Sequence, residues 1–372
     1  MIAAELRRAI LAAAGHEDAD PLLRPGPEPG SYASSLPFRL APGSSRDPRG
    51  IAAALAARLG AEPWIAAAET TGPGYLTVTV TRDALAGLAV RVARGGLACV
   101  ASDALHGRTV PAPAGVDPAA EPDWPRARAA LAAQLTARLA AAAGATVIFS
   151  PERAVVPPPA PLSPIPAESV PSSAPVPPPA PPSARLSPLP AESVPSAAPA
   201  PTPRPEAGPV AAAIAYAGPD AVRFALARMP PGGPAPQAPV IARYVLENPA
   251  YAVRYAHAAA AAVLRWAAAL GTGPAGPEQF RPCLLTEPEE LALLDGLSWL
   301  SERVAMAARR GRPDEFAGYL EGLAARTIET MSTTGFTTIS SISSERLWLA
   351  DAARTGLAAS LGLLGVGAPR RL

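Results

Sequence analysis

The 372-residue sequence contains no lysine, so all 32 of its basic residues are arginines, and only 5% of its residues are aromatic. The two cysteines, Cys99 and Cys283, lie far apart with no Cys-x-x-Cys or Cys/His spacing, which excludes the usual zinc motifs and a disulfide framework. We expect no metal and no cofactor. The net charge of +1 excludes a strongly basic nucleic-acid coat, although local arginine patches remain possible on a balanced surface.

Hydrophobic residues make up 49% of the chain, but they are largely alanine and are accompanied by 49 prolines. This composition predicts a mainly α protein with a Pro-rich insert. Glu5, Arg7 and Arg8 interrupt the first apolar stretch, which indicates an amphipathic helix and not a signal peptide. Because Arg265 interrupts the longest Ala-rich helix, we expect no membrane span and no membrane partner, and a cytoplasmic location.

Residues 1–100 alternate helix and strand patterns and predict a small α+β domain. Helices are expected over 1–14 and 48–59, the second capped by Asp47, with a further helix over 83–93. An extended segment is expected over 31–40. The turn Gly72-Pro73-Gly74 leads into a strand of alternating residues that starts at Tyr75.

The middle of the chain divides into two segments. Residues 101–156 predict a reduced α/β unit, with strands near 108–112 and 145–149 on either side of a helix over 125–143. Residues 157–209 hold 21 of the prolines, and residues 162–172 recur with one substitution as 186–196. We interpret 157–209 as a disordered Pro-rich linker with a duplicated segment, and a Pro-x-x-Pro docking site is the alternative.

Residues 210–372 show helical patterns throughout. Asn248, the only asparagine, precedes Pro249 where a helix needs a cap, and Tyr251 and Tyr255 then share one face of that helix. Earlier, Asp220 and Arg223 are three residues apart near a helix start and are expected to pair. Later, residues 286–289 have the Thr-x-x-Glu pattern of a capping box.

Several of these sequence motifs together resemble those of arginyl-tRNA synthetases. Gly30-Ser31-Tyr32-Ala33-Ser34 and Gly72-Pro73-Gly74-Tyr75-Leu76 are similar to the N-terminal domain of that family. Asp220-Ala221-Val222-Arg223 resembles the Asp-Ala-Leu-Arg (DALR) phrase of its anticodon-binding domain, and residues 248–258 resemble the helix that follows there. The resemblance implies a small α+β N-terminal domain over 1–100 and a C-terminal α-helical bundle of the anticodon-binding type over 210–372.

The resemblance also assigns candidate residues for anticodon recognition: Tyr251, Tyr255, His257 and Leu372. The family lines its base pocket with two tyrosines three apart and a terminal methionine, whereas this sequence has Ala252, Tyr255 and Leu372 at those positions. The family's closing arginine is Ala259 here. For His257 the competing interpretation is a core histidine bonded to a backbone carbonyl.

Two further sets of residues are candidates for tRNA contact. By resemblance, Tyr75 and Thr77 would face the D-loop, with Thr77 in place of the family's asparagine; packing within the sheet is the alternative for Tyr75. The densest basic cluster consists of Arg309, Arg310 and Arg312. It suits phosphate contacts and equally suits a solvated helix end.

The catalytic core of the family has no counterpart in this sequence. A class I synthetase uses a His-x-Gly-His turn and a Lys-Met-Ser-Lys-type loop, but the three histidines are widely separated and lysine is absent. We therefore expect no catalytic residue and a non-catalytic protein that binds tRNA and not DNA. Arginine–tRNA ligase activity, or a regulatory protein that pairs with a true synthetase, are the alternatives.

Overall fold

The computed structural model describes residues 1–16, 19–43, 47–113, 115–150, 208–338 and 341–372. The predicted linker over 157–209 lies outside them except for its last two residues, where Pro209 already begins a helix. The described part is mainly α-helical, with a small α+β region at its N-terminal end and helices throughout its C-terminal half. No helix among these residues is long and apolar enough to cross a bilayer.

Among the first hundred residues, those that the structure describes form five α-helices and a four-stranded antiparallel sheet with the strand order β1-β2-β4-β3. In chain order the elements are α1 (Ile2–Ala14), β1 (Leu23–Pro25), β2 (Ser31–Ser34), α2 (Leu36–Leu40), α3 (Pro48–Leu59), β3 (Ile65–Thr71), β4 (Tyr75–Val80), α4 (Arg82–Ala86) and α5 (Leu88–Gly95). The predicted cap of α3 is confirmed, since the Asp47 carboxylate accepts from the Gly50 N–H at 2.7 Å. Strands β3 and β4 form a hairpin across the Gly-Pro-Gly turn.

Two sequence-based predictions in this region were wrong. The expected extended segment over 31–40 is a strand followed by α2, because Pro37 lies in the first helical turn, where its fixed φ favours a helix. The helix expected over 83–93 is two helices separated at Gly87, and glycine is the weakest helix former apart from proline. At the hairpin turn, Gly74 is required, since a Cβ there would lie 2.7 Å from the Cβ of Pro48.

The next unit has the expected strand–helix–strand order: β5 (Thr109–Pro113), α6 (Trp124–Ala142) and β6 (Thr146–Ser150). The two strands pair in parallel, from Thr109 opposite Thr146 onward. The leucines at four-residue spacing on α6, Leu131, Leu135 and Leu139, are all fully buried. Their burial confirms that this face of α6 belongs to the core.

The C-terminal half is a bundle of helices. They are α7 (Pro209–Ala217), α8 (Pro219–Arg228), α9 (Ala238–Ile241), α10 (Pro249–Ala269), α11 (Pro288–Ser298), α12 (Leu300–Arg310), α13 (Pro313–Met331), α14 (Thr334–Thr337) and α15 (Ser344–Leu364). A capping box opens α11, but Glu287 is its cap and not Thr286 as predicted. The Glu290 carboxylate accepts from the backbone N–H groups of Thr286, at 3.0 Å, and of Glu287, at 3.2 Å.

The N-terminal region packs directly against the bundle. Helix α5 lies along α15, where the absence of a side chain on Gly356 leaves room for Leu297, Leu300 and Val92. At the same boundary the fully buried Tyr32 donates from its hydroxyl to the Ser298 hydroxyl at 2.7 Å. The two regions therefore share one continuous hydrophobic core.

Candidate nucleic-acid interface

The start of α10 is fixed by Asn248, which is 4% exposed. Its side-chain oxygen accepts from the Ala250 N–H at 3.2 Å, and its amide nitrogen donates to the carbonyls of Ile241 at 2.8 Å and Arg243 at 2.7 Å. Asparagine has both an acceptor and two donors in one side chain, whereas aspartate could only accept. One residue thus caps the helix and also holds the loop that precedes it.

Three tyrosines form a row at this end of α10. The rings of Tyr251 and Tyr255 stack with centroids 5.8 Å apart, and the ring of Tyr244 meets Tyr251 edge-on at 5.7 Å. Tyr244 is 80% exposed and Tyr255 is 38% exposed, while Tyr251 between them is half-buried. Burial raises the pKa of the Tyr251 hydroxyl, which favours its neutral form. We call Tyr244, Tyr251 and Tyr255 the tyrosine row.

Tyr244 is not among the residues predicted from the sequence to contact RNA. It lies outside α10, in the loop after α9. Asn248 donates to the carbonyls of Ile241, the last residue of α9, and of Arg243, which directly precedes Tyr244. The only signal in the sequence is an aromatic residue four positions before the cap.

The structure separates His257 from the tyrosine row. Its side chain is 2% exposed, and Nδ1 lies 2.8 Å from the Pro369 carbonyl oxygen, so it anchors the C-terminal segment to α10. The next contact of that segment, from Arg265 to the Arg370 carbonyl at 2.6 Å, lies further toward the C-terminal end of α10. Leu372 follows and is 52% exposed. His257 in this position offers no free face to a base.

We predict that His257 makes folding stability depend on pH. Burial lowers the pKa of this imidazole below its ordinary 6.5, with smaller effects from the nearby Arg354 and Arg370. The unfolded chain then binds a proton more readily than the folded chain, so stability is lost as the pH falls below about 6.5. Urea midpoints measured between pH 7.5 and 5.5 should fall less in His257→Gln than in wild type.

The matched control is His106→Gln, because His106 is an exposed residue. This variant should keep the wild-type pH dependence. An unchanged slope in His257→Gln would contradict the prediction.

The arginine cluster predicted to contact phosphate is paired with carboxylates. Arg309 bonds to Glu302 at 2.6 Å and to Asp20 at 3.0 Å. Arg310 pairs with Glu315 at 2.9 Å, and Arg312 pairs with Asp314 at 2.6 Å. Their charges are largely balanced within the protein. The structure therefore favours the alternative of a helix end stabilised by ion pairs over a phosphate site.

Tyr75 and Thr77 lie on the same face of β4, while Leu76 and Val78 between and after them are buried. Tyr75 is 43% exposed and its ring lies against that of Phe38 at 4.9 Å. The Thr77 hydroxyl is 2.8 Å from the Thr71 hydroxyl across the hairpin. The Tyr75 ring thus packs on Phe38, and part of its surface remains accessible to solvent.

The predicted pair of Asp220 and Arg223 is not formed. Arg223 donates instead to the Leu364 carbonyl at 2.8 Å and to the Gln134 side chain at 2.7 Å. Asp220 pairs with Arg254 at 3.6 Å and accepts from the Gly367 N–H at 3.2 Å. Both side chains therefore bond to the backbone at and just after the end of α15, Arg223 to the Leu364 carbonyl and Asp220 to the Gly367 N–H, and not to each other.

Two regions of the chain match families of known proteins. Residues 1–80 match the family described as arginyl tRNA synthetase N terminal domain, and residues 253–372 match the DALR anticodon binding domain. The chain is therefore related to arginyl-tRNA synthetases over these regions. The tyrosine row lies at or just before the start of the second match.

Curated relatives include the arginine–tRNA ligase of Micrococcus luteus, 36% identical over 43% of this chain and 30% of the relative. That of Kineococcus radiotolerans is 40% identical over 34% of this chain and 23% of the relative. The matched regions thus span less than a third of these relatives. A solved structure of Thermus thermophilus arginyl-tRNA synthetase aligns over 100% of both chains with a TM-score of 0.63 at 16% identity, which supports the fold alone.

Proposed function

We propose that this protein binds tRNA through the tyrosine row at the start of α10 and does not itself attach an amino acid. The observation that carries the proposal is the stacked pair Tyr251 and Tyr255, accessible on a helix that enters the DALR anticodon binding match. Proteins recognise single-stranded RNA loops by stacking unpaired bases on aromatic side chains. An anticodon loop presents such bases.

The tyrosine row offers aromatic rings on which bases can stack, but its rings are arranged differently from those of the family's base pocket. Position 252, where the family has its first tyrosine, is an alanine, and Tyr251 is about 100° round the helix from it. Tyr251 nevertheless stacks on Tyr255, and Tyr244 extends the surface. The accessible face of Tyr75 in the N-terminal region is a second candidate contact, for the D-loop.

The proposal that the protein is non-catalytic rests on the chemistry its side chains lack. The sequence has no lysine and no His-x-Gly-His turn to hold the phosphates of ATP. Between the two matched regions, the described elements of an α/β kind are β5, α6 and β6. Arginine–tRNA ligase activity remains the alternative, favoured by the names of the curated relatives.

Two assays on the full chain test the proposal. In filter binding against total tRNA, we expect saturable binding that weakens as salt rises, because each arginine that contacts a phosphate releases a counterion. In a charging assay with labelled arginine, ATP and tRNA, we expect no product. Absence of binding at low salt would reject tRNA as the ligand, and arginine attachment would establish the ligase alternative.

A third possibility is a regulatory protein that pairs with a true synthetase. Binding to a purified synthetase after ribonuclease treatment would favour it. Loss of that binding on RNA removal would instead support the tRNA proposal, since RNA would then bridge the two proteins.

A further inference from the structure

Strands β5 and β6 form a parallel sheet that no other strand of the described residues extends. Helix α6 lies against one face of this sheet, where Ala112 of β5 is 5% exposed. The side chains of β6 are much more accessible: Ile148 is 57% exposed and Phe149 is 73% exposed. Parallel sheets are normally covered on both faces, so this sheet leaves apolar surface without a partner.

Proline protects the outer edge of β5. The Thr146 N–H of β6 donates to the Arg108 carbonyl at 2.8 Å, and this bond shows which residues of each strand face the other. Because backbone groups alternate between the two sides of a strand, Thr109, Pro111 and Pro113 turn theirs away from β6. Two of these three residues have no N–H to offer to an incoming strand, which is a common protection of sheet edges.

The outer edge of β6 has no such protection. By the same alternation, Val147 and Phe149 turn their N–H and C=O groups away from β5, and no group of the described residues bonds to them. Strand β6 contains neither proline nor a charged residue. An edge strand with exposed apolar side chains and free backbone groups is a template for pairing with another chain.

The sequence of β6 suits pairing with a second copy of itself. When two copies pair antiparallel about Ile148, Val147 of each copy lies opposite Phe149 of the other. The outward-facing residues of the two copies then meet, and each Val147–Phe149 pair exchanges both N–H···O bonds. A β-branched residue opposite an aromatic residue is one of the favourable cross-strand pairs.

We propose that β6 pairs antiparallel with β6 of a second copy of this chain, so that the two small sheets join into one sheet of four strands. The two-fold axis is perpendicular to this sheet, and both copies of α6 therefore cover the same face. They are separated by two strand spacings, about 10 Å, which is close to the distance at which helices pack.

The face covered by α6 has room for the side chains of the second copy. Val147 and Phe149 border a cleft of about 280 Å³ together with Ala137 and Ala141 of α6. Phe149 of the second copy lies opposite Val147 on this face and covers the mouth of the cleft. Pairing thus removes the exposed part of the Phe149 ring from water in both copies.

The interface is small, since it consists of two five-residue strands and the flanks of two helices. Interfaces below about 1,200 Å² generally give weak and reversible association. We therefore expect an equilibrium between monomer and dimer with a Kd in the micromolar range. The dimer is independent of the proposed tRNA binding, because the tyrosine row is not part of it.

Sedimentation equilibrium of the full chain, purified free of RNA, measures this association from low to high micromolar concentration. Wild type should shift from monomer to dimer. Ile148→Arg places like charges opposite each other on the two-fold axis and should raise the Kd at least about tenfold. Because Ile148 is largely exposed, the variant should keep the wild-type urea midpoint. The matched control is Leu97→Arg, at a residue that is 74% exposed outside the sheet, and it should dimerise as wild type does.

A mixture of two variants tests the register of the pairing. Ile148→Asp alone should be monomeric for the same reason as Ile148→Arg. An equimolar mixture of the two should restore dimers, because opposite charges then meet across the axis, and salt should weaken this restored association. A variant that had only lost its local structure would not regain association on mixing.

A wild-type chain that stays monomeric at the highest concentration would overturn the proposal, and the edge of β6 would then be free for a strand of a different protein. Dimers that persist unchanged in Ile148→Arg, or that the mixture does not restore, would also overturn it. None of these measurements contains RNA, so their failure and the failure of the tRNA proposal are distinguishable.

Discussion

Replacement of both Tyr251 and Tyr255 by alanine is expected to weaken tRNA binding by about 10- to 100-fold. Each base stacked on an aromatic ring contributes about 1–3 kcal/mol, and the two rings form one stacked surface. Because the change removes no arginine that could contact a phosphate, the salt dependence of binding should stay as it is in wild type. Filter binding over a range of salt concentrations measures both quantities.

Two variants control for this experiment. Tyr216→Ala removes another exposed tyrosine, 55% accessible on α7, and should bind tRNA as wild type does. Tyr255→Phe keeps the ring and should retain most of the affinity. Wild-type affinity in the double alanine variant would exclude the tyrosine row from the interface, and equal losses in Tyr216→Ala would indicate a nonspecific effect.

Features that depend on neighbouring residues were predictable from the sequence. Asn248 with Pro249, and Asp47 with Pro48, are local signals because a cap bonds to N–H groups two or three residues away. The leucine spacing of α6 likewise follows from the helical period. Secondary structure in these segments, and the shared helix face of Tyr251 and Tyr255, could therefore be deduced from the sequence.

Features that depend on distant residues were not predictable. Arg309 lies 289 residues from Asp20, one of its two carboxylate partners, so the sequence presents an apparently free basic cluster. Asp220 and Arg223 have ideal spacing for a pair, yet the end of α15, more than 140 residues away, takes both side chains. Local spacing gives possible partners, and tertiary contacts decide among them.

The contacts between the N-terminal region and the bundle could not be predicted from local sequence either. Tyr32 occurs in a phrase that resembles a separate N-terminal domain, but its ring packs on Trp299 at 5.1 Å and its hydroxyl bonds to Ser298. The Gly30 N–H donates to the Asp295 carboxylate at 3.0 Å. These contacts fix the orientation of β4, and with it Tyr75, relative to the bundle. Any contact of Tyr75 with a ligand is therefore made from a fixed position.

Replacement of Glu290 by alanine is expected to lower the free energy of unfolding strongly. Glu290 is 1% exposed, pairs with Arg346 at 2.7 Å and accepts two backbone N–H groups at the start of α11. Its loss would leave a largely buried guanidinium and two N–H groups without their acceptor. Removal of one partner from a buried ion pair costs about 3–5 kcal/mol.

The free energy of unfolding from urea titration measures this effect. Glu289→Ala is the matched control: it changes the neighbouring glutamate, which is half-buried, and should alter stability by less than about 0.5 kcal/mol. Glu290→Gln keeps an acceptor for the N–H groups but not the charge, so it should fall between the two. A loss below about 1 kcal/mol in Glu290→Ala would mean that solvent reaches Arg346 and replaces the carboxylate. The link between the starts of α11 and α15 would then contribute little to stability.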